Sequence, residues 1–167
     1  LYIPDPFPHF VPHEFSDVHE MPEIGERLLA PFAEGDPLAS DIGEICREAF
    51  NFPTPIKELK GAPSPASVLE LFHGPTSAFK DYGARFLAAA LSRIRRNAKK
   101  KLTILVATSG DTGGAVAAAF HRRPGFEVVV LYPKGQVSQR QAQQLACWGD
   151  NVRTFCVHGT FDDCQRM

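Results

Sequence analysis

An alternation of short apolar runs with helical stretches is the feature that most restricts how this chain can fold. Residues 68–72, 102–108, 127–132 and 152–157 are runs of strand length, and residues 78–97, 112–120 and 139–148 have helical spacing between them. Strands that are apolar on both faces and joined by helices favour a parallel sheet. The sequence therefore predicts an α/β fold, an open, largely parallel sheet with helices on both faces.

The first part of the chain has a different character. Residues 1–37 are rich in proline, phenylalanine and histidine and have no sustained period, so we expect an irregular N-terminal wrap. Residues 38–167 form the α/β region. That region opens with a helix, because Ile42 and Ile45 begin a series of apolar residues at helical spacing, and Pro53 ends it.

Composition and charge indicate which kinds of partner the protein is not expected to bind. The chain has 44% hydrophobic residues, 22% charged residues and a formal net charge of -1, which gives no electrostatic reason to expect nucleic acid as a partner. No apolar run approaches the about 20 residues of a membrane span, and the first residues of the sequence have neither the basic nor the apolar stretch typical of a secretory leader. We expect a cytoplasmic protein without a membrane or nucleic-acid partner.

The cysteines and histidines predict neither disulfides nor a metal site. The cysteines form no C-x-x-C pair and suit free thiols in a reducing compartment. His9 and His13 stand four residues apart, but Pro8 and Pro12 disfavour the helix on which they would share a metal. We interpret these histidines as structural or surface residues.

Lys80 stands where an apolar run gives way to an amphipathic helix. In the first turn of a helix, the positive end of the macrodipole disfavours the ammonium form of a lysine, and Phe79 and Tyr82 could remove water from around it. An amine in that state can form a Schiff base with a carbonyl compound. A solvated surface lysine is the alternative that the position alone leaves open.

Two further loops follow predicted strands. Residues 109–113 read Ser-Gly-Asp-Thr-Gly, in which glycines let the backbone approach a ligand while amides and hydroxyls at a helix start bind an anion. The next loop carries Lys134, Ser138 and Arg140, donors that a phosphorylated substrate would need. Ligand sites lie beyond the carboxyl ends of parallel strands, so these loops and Lys80 can line one crevice. An ordinary capped turn and a solvated polar loop are the alternatives.

Four segments together resemble one enzyme family. They are HGPTSAFKD at residues 73–81, ATSGDTG at 107–113, YPKGQVS at 132–138 and GTFDDCQ at 159–165. In this order and spacing they resemble the threonine synthases, pyridoxal-phosphate enzymes of fold type II with a tryptophan-synthase-β-like fold. No G-x-G-x-x-G or Walker A pattern supports a nucleotide-binding alternative.

The resemblance assigns roles to particular residues. Lys80 would bear pyridoxal 5'-phosphate as an internal aldimine and act as the catalytic residue, with Phe79 and Asp111 as further cofactor contacts. The residues implied in substrate binding, several of them in the loop that takes the amino-acid carboxylate, are Thr108, Ser109, Gly110, Asp111, Thr112, Lys134 and Ser138. No metal is implied.

The activity that the resemblance implies is that of a carbon–oxygen lyase of threonine biosynthesis, which converts O-phospho-L-homoserine and water to L-threonine and phosphate. We expect an N-terminal portion of such an enzyme, without the glycine-rich loop for the cofactor phosphate or the residue at the pyridine nitrogen, and with little or no activity by itself. Two alternatives stay open: a phospho-lyase acting on another phosphorylated amino alcohol, and an inactive remnant. The protein could be a monomer or a homodimer.

Overall fold

The computed structural model describes residues 5–61 and 63–167, which form six α-helices and five strands among them. In chain order these are α1 (Met21–Leu29), α2 (Ile42–Ala49), β1 (Ile56–Glu58), β2 (Ser67–Leu69), α3 (Lys80–Ile94), β3 (Leu102–Ala107), α4 (Asp111–Phe120), β4 (Phe126–Pro133), α5 (Gln139–Ala146), β5 (Val152–Val157) and α6 (Phe161–Arg166). Short 3₁₀ turns cover Pro12–Phe15, Ala30–Ala33 and Ala39–Asp41. In the described part of the chain, no helix is both long and apolar enough to cross a membrane.

The predicted parallel sheet is confirmed, with strand order β3-β4-β5. Ile104 pairs with Val128, and Val128 pairs in turn with Val152. Helices α3, α4 and α5 bury one face of the sheet, and α6 packs on β4 and β3 at the other. The carboxyl ends of the strands therefore lead into α4, α5 and α6 at one edge, as the alternating sequence pattern requires.

The main core lies between the sheet and its helices. Alanines of α3 and α4, including Ala88 and Ala117, are fully buried and let the helices approach closely. Phe120 ends α4 against Phe126, with ring centroids 5.1 Å apart. Leu145 of α5 is also fully buried. This packing holds the first residues of α4 and α5 at fixed positions above the sheet.

The N-terminal region is more regular than the sequence predicts. Residues 21–29 form helix α1 where an irregular wrap is expected, and Gly25 lies so close to α2 that a Cβ there would be 2.7 Å from Cε2 of Phe50. Pro22 is compatible with this helix, because in the first helical turn it removes only a donor that has no intrahelical partner. The expected division of the chain at residue 37 stays a prediction.

The expected strand at residues 68–72 is wrong in its length and in its partner. Ser67–Leu69 forms β2, which pairs antiparallel with β1 and lies outside the parallel sheet. Val68 is 41% exposed and Leu69 is 52% exposed, so the apolar run reflects a hairpin rather than a buried strand. A short apolar run does not reveal its partner. Lys80 consequently follows a loop, whereas the other two candidate loops follow β3 and β4.

Candidate active site

Lys80 is the first residue of α3 and is partly buried. Its Nζ lies 4.5 Å from the centroid of the Phe79 ring, and that ring is 61% exposed. Among the residues that the structure describes, no carboxylate lies within 4.0 Å of this nitrogen. The amine thus has an aromatic neighbour but no ion pair, which leaves it available for reaction.

A buried carboxylate shapes the loop that leads into Lys80. Asp81 is 1% exposed and accepts hydrogen bonds from the backbone N–H of Thr76 at 2.9 Å and from its hydroxyl at 2.7 Å. Gly74 passes so near that a Cβ would be 2.5 Å from Oδ2 of Asp81. Ser77 adopts the left-handed region with φ of 57°. Asp81 therefore fixes the lysine loop, residues 74–79, and with it the start of α3.

Tyr82 does not flank the Lys80 amine in the way that the sequence suggests. Its ring packs against Phe52, with centroids 4.8 Å apart, and against Phe50. Its hydroxyl lies 2.6 Å from Oγ1 of Thr54. Tyr82 belongs to the packing between α3 and the N-terminal region, so Phe79 is the aromatic neighbour of the amine.

The glycine loop, residues 109–113, turns from β3 into α4 around one buried hydroxyl. Thr108 is 1% exposed, and its Oγ1 accepts from the N–H groups of Gly110 at 3.0 Å and Gly113 at 2.8 Å. The same hydroxyl lies 3.1 Å from the Gly110 carbonyl oxygen and donates to it. The Thr108 side chain is thus engaged within the loop. Ser109, Asp111 and Thr112 are exposed and remain candidates for ligand contact.

The third loop, residues 134–138, leads from β4 into α5. Lys134, Ser138 and Arg140 are all exposed. The Ser138 hydroxyl accepts from the Gln141 N–H at 3.2 Å, and Oε1 of Gln141 accepts from the Ser138 N–H at 3.0 Å. Ser138 therefore caps α5, while its O–H can still donate outward. The Lys134 N–H donates to the Val157 carbonyl oxygen at 2.8 Å, which ties the loop to β5.

Two glutamines of α5 join these loops, and sequence reasoning missed both. Nε2 of Gln141 donates to Oδ1 of Asp111 at 3.0 Å, and Nε2 of Gln144 donates to the Thr76 carbonyl oxygen at 3.3 Å. The second bond spans 68 residues of sequence. The glycine loop, the third loop and the lysine loop are therefore linked through one helix, although their predicted members make no direct hydrogen bond to Lys80 in the described residues.

Arg85 attaches the same helix α3 to the end of α2. Its guanidinium donates to the carbonyl oxygens of Ala49 at 2.8 Å and Glu48 at 2.7 Å. Burial lowers the pKa of Arg85, and the nearby Asp81 carboxylate opposes that shift. The guanidinium of an arginine keeps its charge even so, and it adds a positive neighbour for the buried carboxylate.

Residues 49–167 match the family described as pyridoxal-phosphate dependent enzyme, and the chain belongs to that family. The predicted membership of a pyridoxal-phosphate enzyme family is thereby confirmed. Among solved structures, the pyridoxal-phosphate-bound threonine synthase of Brucella melitensis matches with a TM-score of 0.83 and 35% identity, covering 99% of this chain and 37% of that one. The yeast threonine synthase gives a TM-score of 0.83 at 30% identity, covering 98% and 36%.

Curated sequences agree with the structural comparison. A threonine synthase of Escherichia coli (strain K12) is 43% identical over an alignment of 169 positions, which covers 96% of this chain and 38% of the relative. That of Haemophilus influenzae is 39% identical over 165 residues, with coverage of 96% and 38%. The chain therefore spans a little over a third of the length of these relatives, and the resemblance to the threonine synthases is confirmed over nearly all of it.

Proposed function

We propose that the protein containing this chain is a threonine synthase, which converts O-phospho-L-homoserine and water to L-threonine and phosphate. The observation that carries the proposal is the match of nearly the whole chain, in sequence and in fold, to threonine synthases rather than to the wider family alone. We further propose a cytoplasmic enzyme whose partner is this small phosphorylated amino acid. It would be monomeric or homodimeric.

The side chains at and near Lys80 are chemically suited to bind pyridoxal 5'-phosphate. The cofactor aldehyde reacts with a primary amine, and among residues 5–61 and 63–167 no carboxylate competes for the Lys80 amine. The exposed Phe79 ring and the Asp111 carboxylate are our proposed neighbours of the cofactor ring. When bound, the cofactor supplies an electron sink that stabilises a carbanion next to the substrate nitrogen.

The glycine loop is proposed to bind the substrate carboxylate. Exposed hydroxyls of Ser109 and Thr112 and backbone amides at the start of α4 can donate to an anion, and the helix dipole favours negative charge there. We propose that Thr108 acts by bracing this loop, since its hydroxyl is already bonded to Gly110 and Gly113. This changes its proposed role from ligand contact to support.

The phosphate of the substrate needs cationic and hydroxyl donors at the far end of the amino acid. Lys134 and Ser138 are exposed on the third loop, and Gln141 attaches that loop to Asp111. We propose that Lys134 supplies charge and Ser138 supplies a hydroxyl donor to the phosphate oxygens.

With cofactor and substrate bound, Lys80 is proposed to move protons at the substrate carbons. Its amine would take a proton from Cα and then serve proton transfer at Cβ, while the C–O bond at Cγ breaks and phosphate departs with the electron pair. Water adds at Cβ, and protons return to carbon, so that one water enters and one phosphate leaves. Phe79 helps keep solvent from the reacting atoms until that addition.

The test uses the full-length protein and two lysine variants. We expect borohydride to fix pyridoxal phosphate on Lys80, identified by peptide mapping, and Lys80→Ala to lose that adduct together with at least about a thousandfold of the turnover. Lys57→Ala is the matched control, because Lys57 is exposed on β1. Threonine and phosphate released from O-phospho-L-homoserine are measured directly.

Each outcome separates the proposal from its alternatives. An adduct on Lys80 with a product other than threonine would indicate a phospho-lyase acting on another phosphorylated amino alcohol. No adduct on any lysine of the full-length protein would favour an inactive remnant and contradict the cofactor assignment.

A further inference from the structure

We propose that Gln141 and Gln144 of α5 are positioning residues that hold the glycine loop and the lysine loop in fixed positions relative to each other. The inference deepens the proposed function and rests on it for its catalytic meaning. The two side chains are three residues apart on one helix, so they project from neighbouring turns of the same face. One contacts Asp111 and the other contacts Thr76.

Gln141 uses both ends of its amide. Oε1 accepts from the Ser138 N–H at 3.0 Å, and Nε2 donates to Oδ1 of Asp111 at 3.0 Å. Within residues 5–61 and 63–167, this is the hydrogen bond that the Asp111 side chain makes. Without it, nothing in that part of the chain fixes the direction of the carboxylate. Gln141 thereby sets the orientation of a group that we place at the cofactor.

Gln144 acts on the loop before Lys80. Its Nε2 donates to the Thr76 carbonyl oxygen at 3.3 Å, while the N–H and hydroxyl of Thr76 are bonded to Asp81. Thr76 is therefore held from α3 on one side and from α5 on the other. A shift of α5 would move this residue relative to Lys80.

Helix α5 is itself held in place by contacts with its neighbours in the fold. Leu145 is fully buried, and its carbonyl oxygen accepts from the Thr154 hydroxyl at 2.6 Å. A Cβ on Gly113 would lie 2.9 Å from Cδ2 of Leu145, so α5 also touches the first turn of α4. Because these contacts fix the helix body on the sheet, the two glutamines can connect the loops to a common fixed support.

Four glutamine variants test the proposal in the full-length protein. Gln141→Glu keeps an oxygen to cap α5 but removes the donor and sets a negative charge against Asp111. Gln144→Leu removes the bond to Thr76. Gln143→Leu is the matched control on the same helix, because Gln143 is exposed and makes no side-chain hydrogen bond within the described residues. Gln141→Leu removes both the cap and the donor.

Steady-state kinetics and cofactor titration give the first readout. We expect Gln141→Glu to raise KM for O-phospho-L-homoserine about tenfold with a smaller change in kcat, since one charge-assisted hydrogen bond orienting the site is lost. We expect Gln144→Leu to raise the Kd of pyridoxal phosphate about fivefold, since the loop that presents Lys80 loosens. Gln143→Leu should leave KM, kcat and Kd unchanged.

Hydrogen–deuterium exchange of the cofactor-free protein gives a readout independent of the activity. Exchange should rise about tenfold at residues 109–113 in Gln141→Leu and at residues 74–77 in Gln144→Leu, and not in the control. If Gln141→Glu, Gln141→Leu and Gln144→Leu all match Gln143→Leu in the properties measured for them, the positioning role is refuted. If wild type binds no pyridoxal phosphate but the exchange differences appear, the proposed function fails and the loop coupling stands.

Discussion

Replacing Gly110 by alanine tests whether the glycine loop depends on a backbone conformation that other residues avoid. Gly110 has φ of 143° and ψ of -89°. Holding a residue with a Cβ there costs about 1–3 kcal/mol. The new Cβ would also lie 2.3 Å from Nε2 of Gln141. That nitrogen is the end of a flexible side chain, so it would move and give up its bond to Asp111, worth about 1 kcal/mol.

These two contributions predict that Gly110→Ala lowers the free energy of unfolding by about 3 kcal/mol. The measurement is urea denaturation followed by circular dichroism. Gly114→Ala is the matched control, because Gly114 lies inside α4, which Gly110 precedes, and a Cβ there meets no other side chain or element within 4 Å. Alanine is the better helix former, so the control should raise the free energy of unfolding by about 0.5–1 kcal/mol.

A double variant separates backbone strain from the clash. In Gly110→Ala combined with Gln141→Ala the clash is absent, yet the strain at φ of 143° persists, so that about 2 kcal/mol of the loss should remain relative to Gln141→Ala alone. The reasoning would be refuted if Gly110→Ala and Gly114→Ala changed the free energy of unfolding by the same amount in the same direction.

Two further predictions concern charge and thiol chemistry. Burial raises the pKa of the Glu48 carboxyl, but hydrogen bonds from Arg93 and Arg123 outweigh burial and hold that pKa below its ordinary value. Because the Glu48 side chain is partly exposed and solvent screens its ion pairs, Glu48→Gln should lower the free energy of unfolding by about 1 kcal/mol at pH 7. That difference should shrink as the pH falls from the ordinary carboxyl pKa of the unfolded chain through the lowered pKa of the folded protein, and a constant difference in urea unfolding from about pH 7 to pH 3 would contradict the ion-pair origin. Burial raises the pKa of the Cys46 thiol to about 11, so iodoacetamide at about pH 8 should label exposed Cys147 and Cys156 at least about a hundredfold faster than Cys46, as followed by peptide mass spectrometry. Equal labelling of the native protein would show that Cys46 is accessible.

The sequence pattern predicted a helix or a strand correctly where interactions between neighbouring residues decide the structure. β5 runs over Val152–Val157, as predicted, because an apolar run between polar turns fits a strand of that length. Helices α4 and α5 also begin within one residue of their expected starts. The predictions were wrong for the N-terminal region and for β2. Helix α1 and the hairpin of β1 and β2 are stabilised by residues that are distant in sequence.

In the candidate site, too, some features could be predicted from the sequence and others became visible only in the structure. The sequence by itself determined Lys80 at a helix start, the glycine at position 110 and the motifs of the pyridoxal-phosphate family, since helix periodicity and glycine conformation are properties of neighbouring residues. Only the tertiary structure decided that Gln141 reaches Asp111 across 30 residues and that Gln144 reaches Thr76 across 68. Such bonds depend on how α5 packs against β5 and α4, and no spacing along the chain encodes the position of a helix in three dimensions.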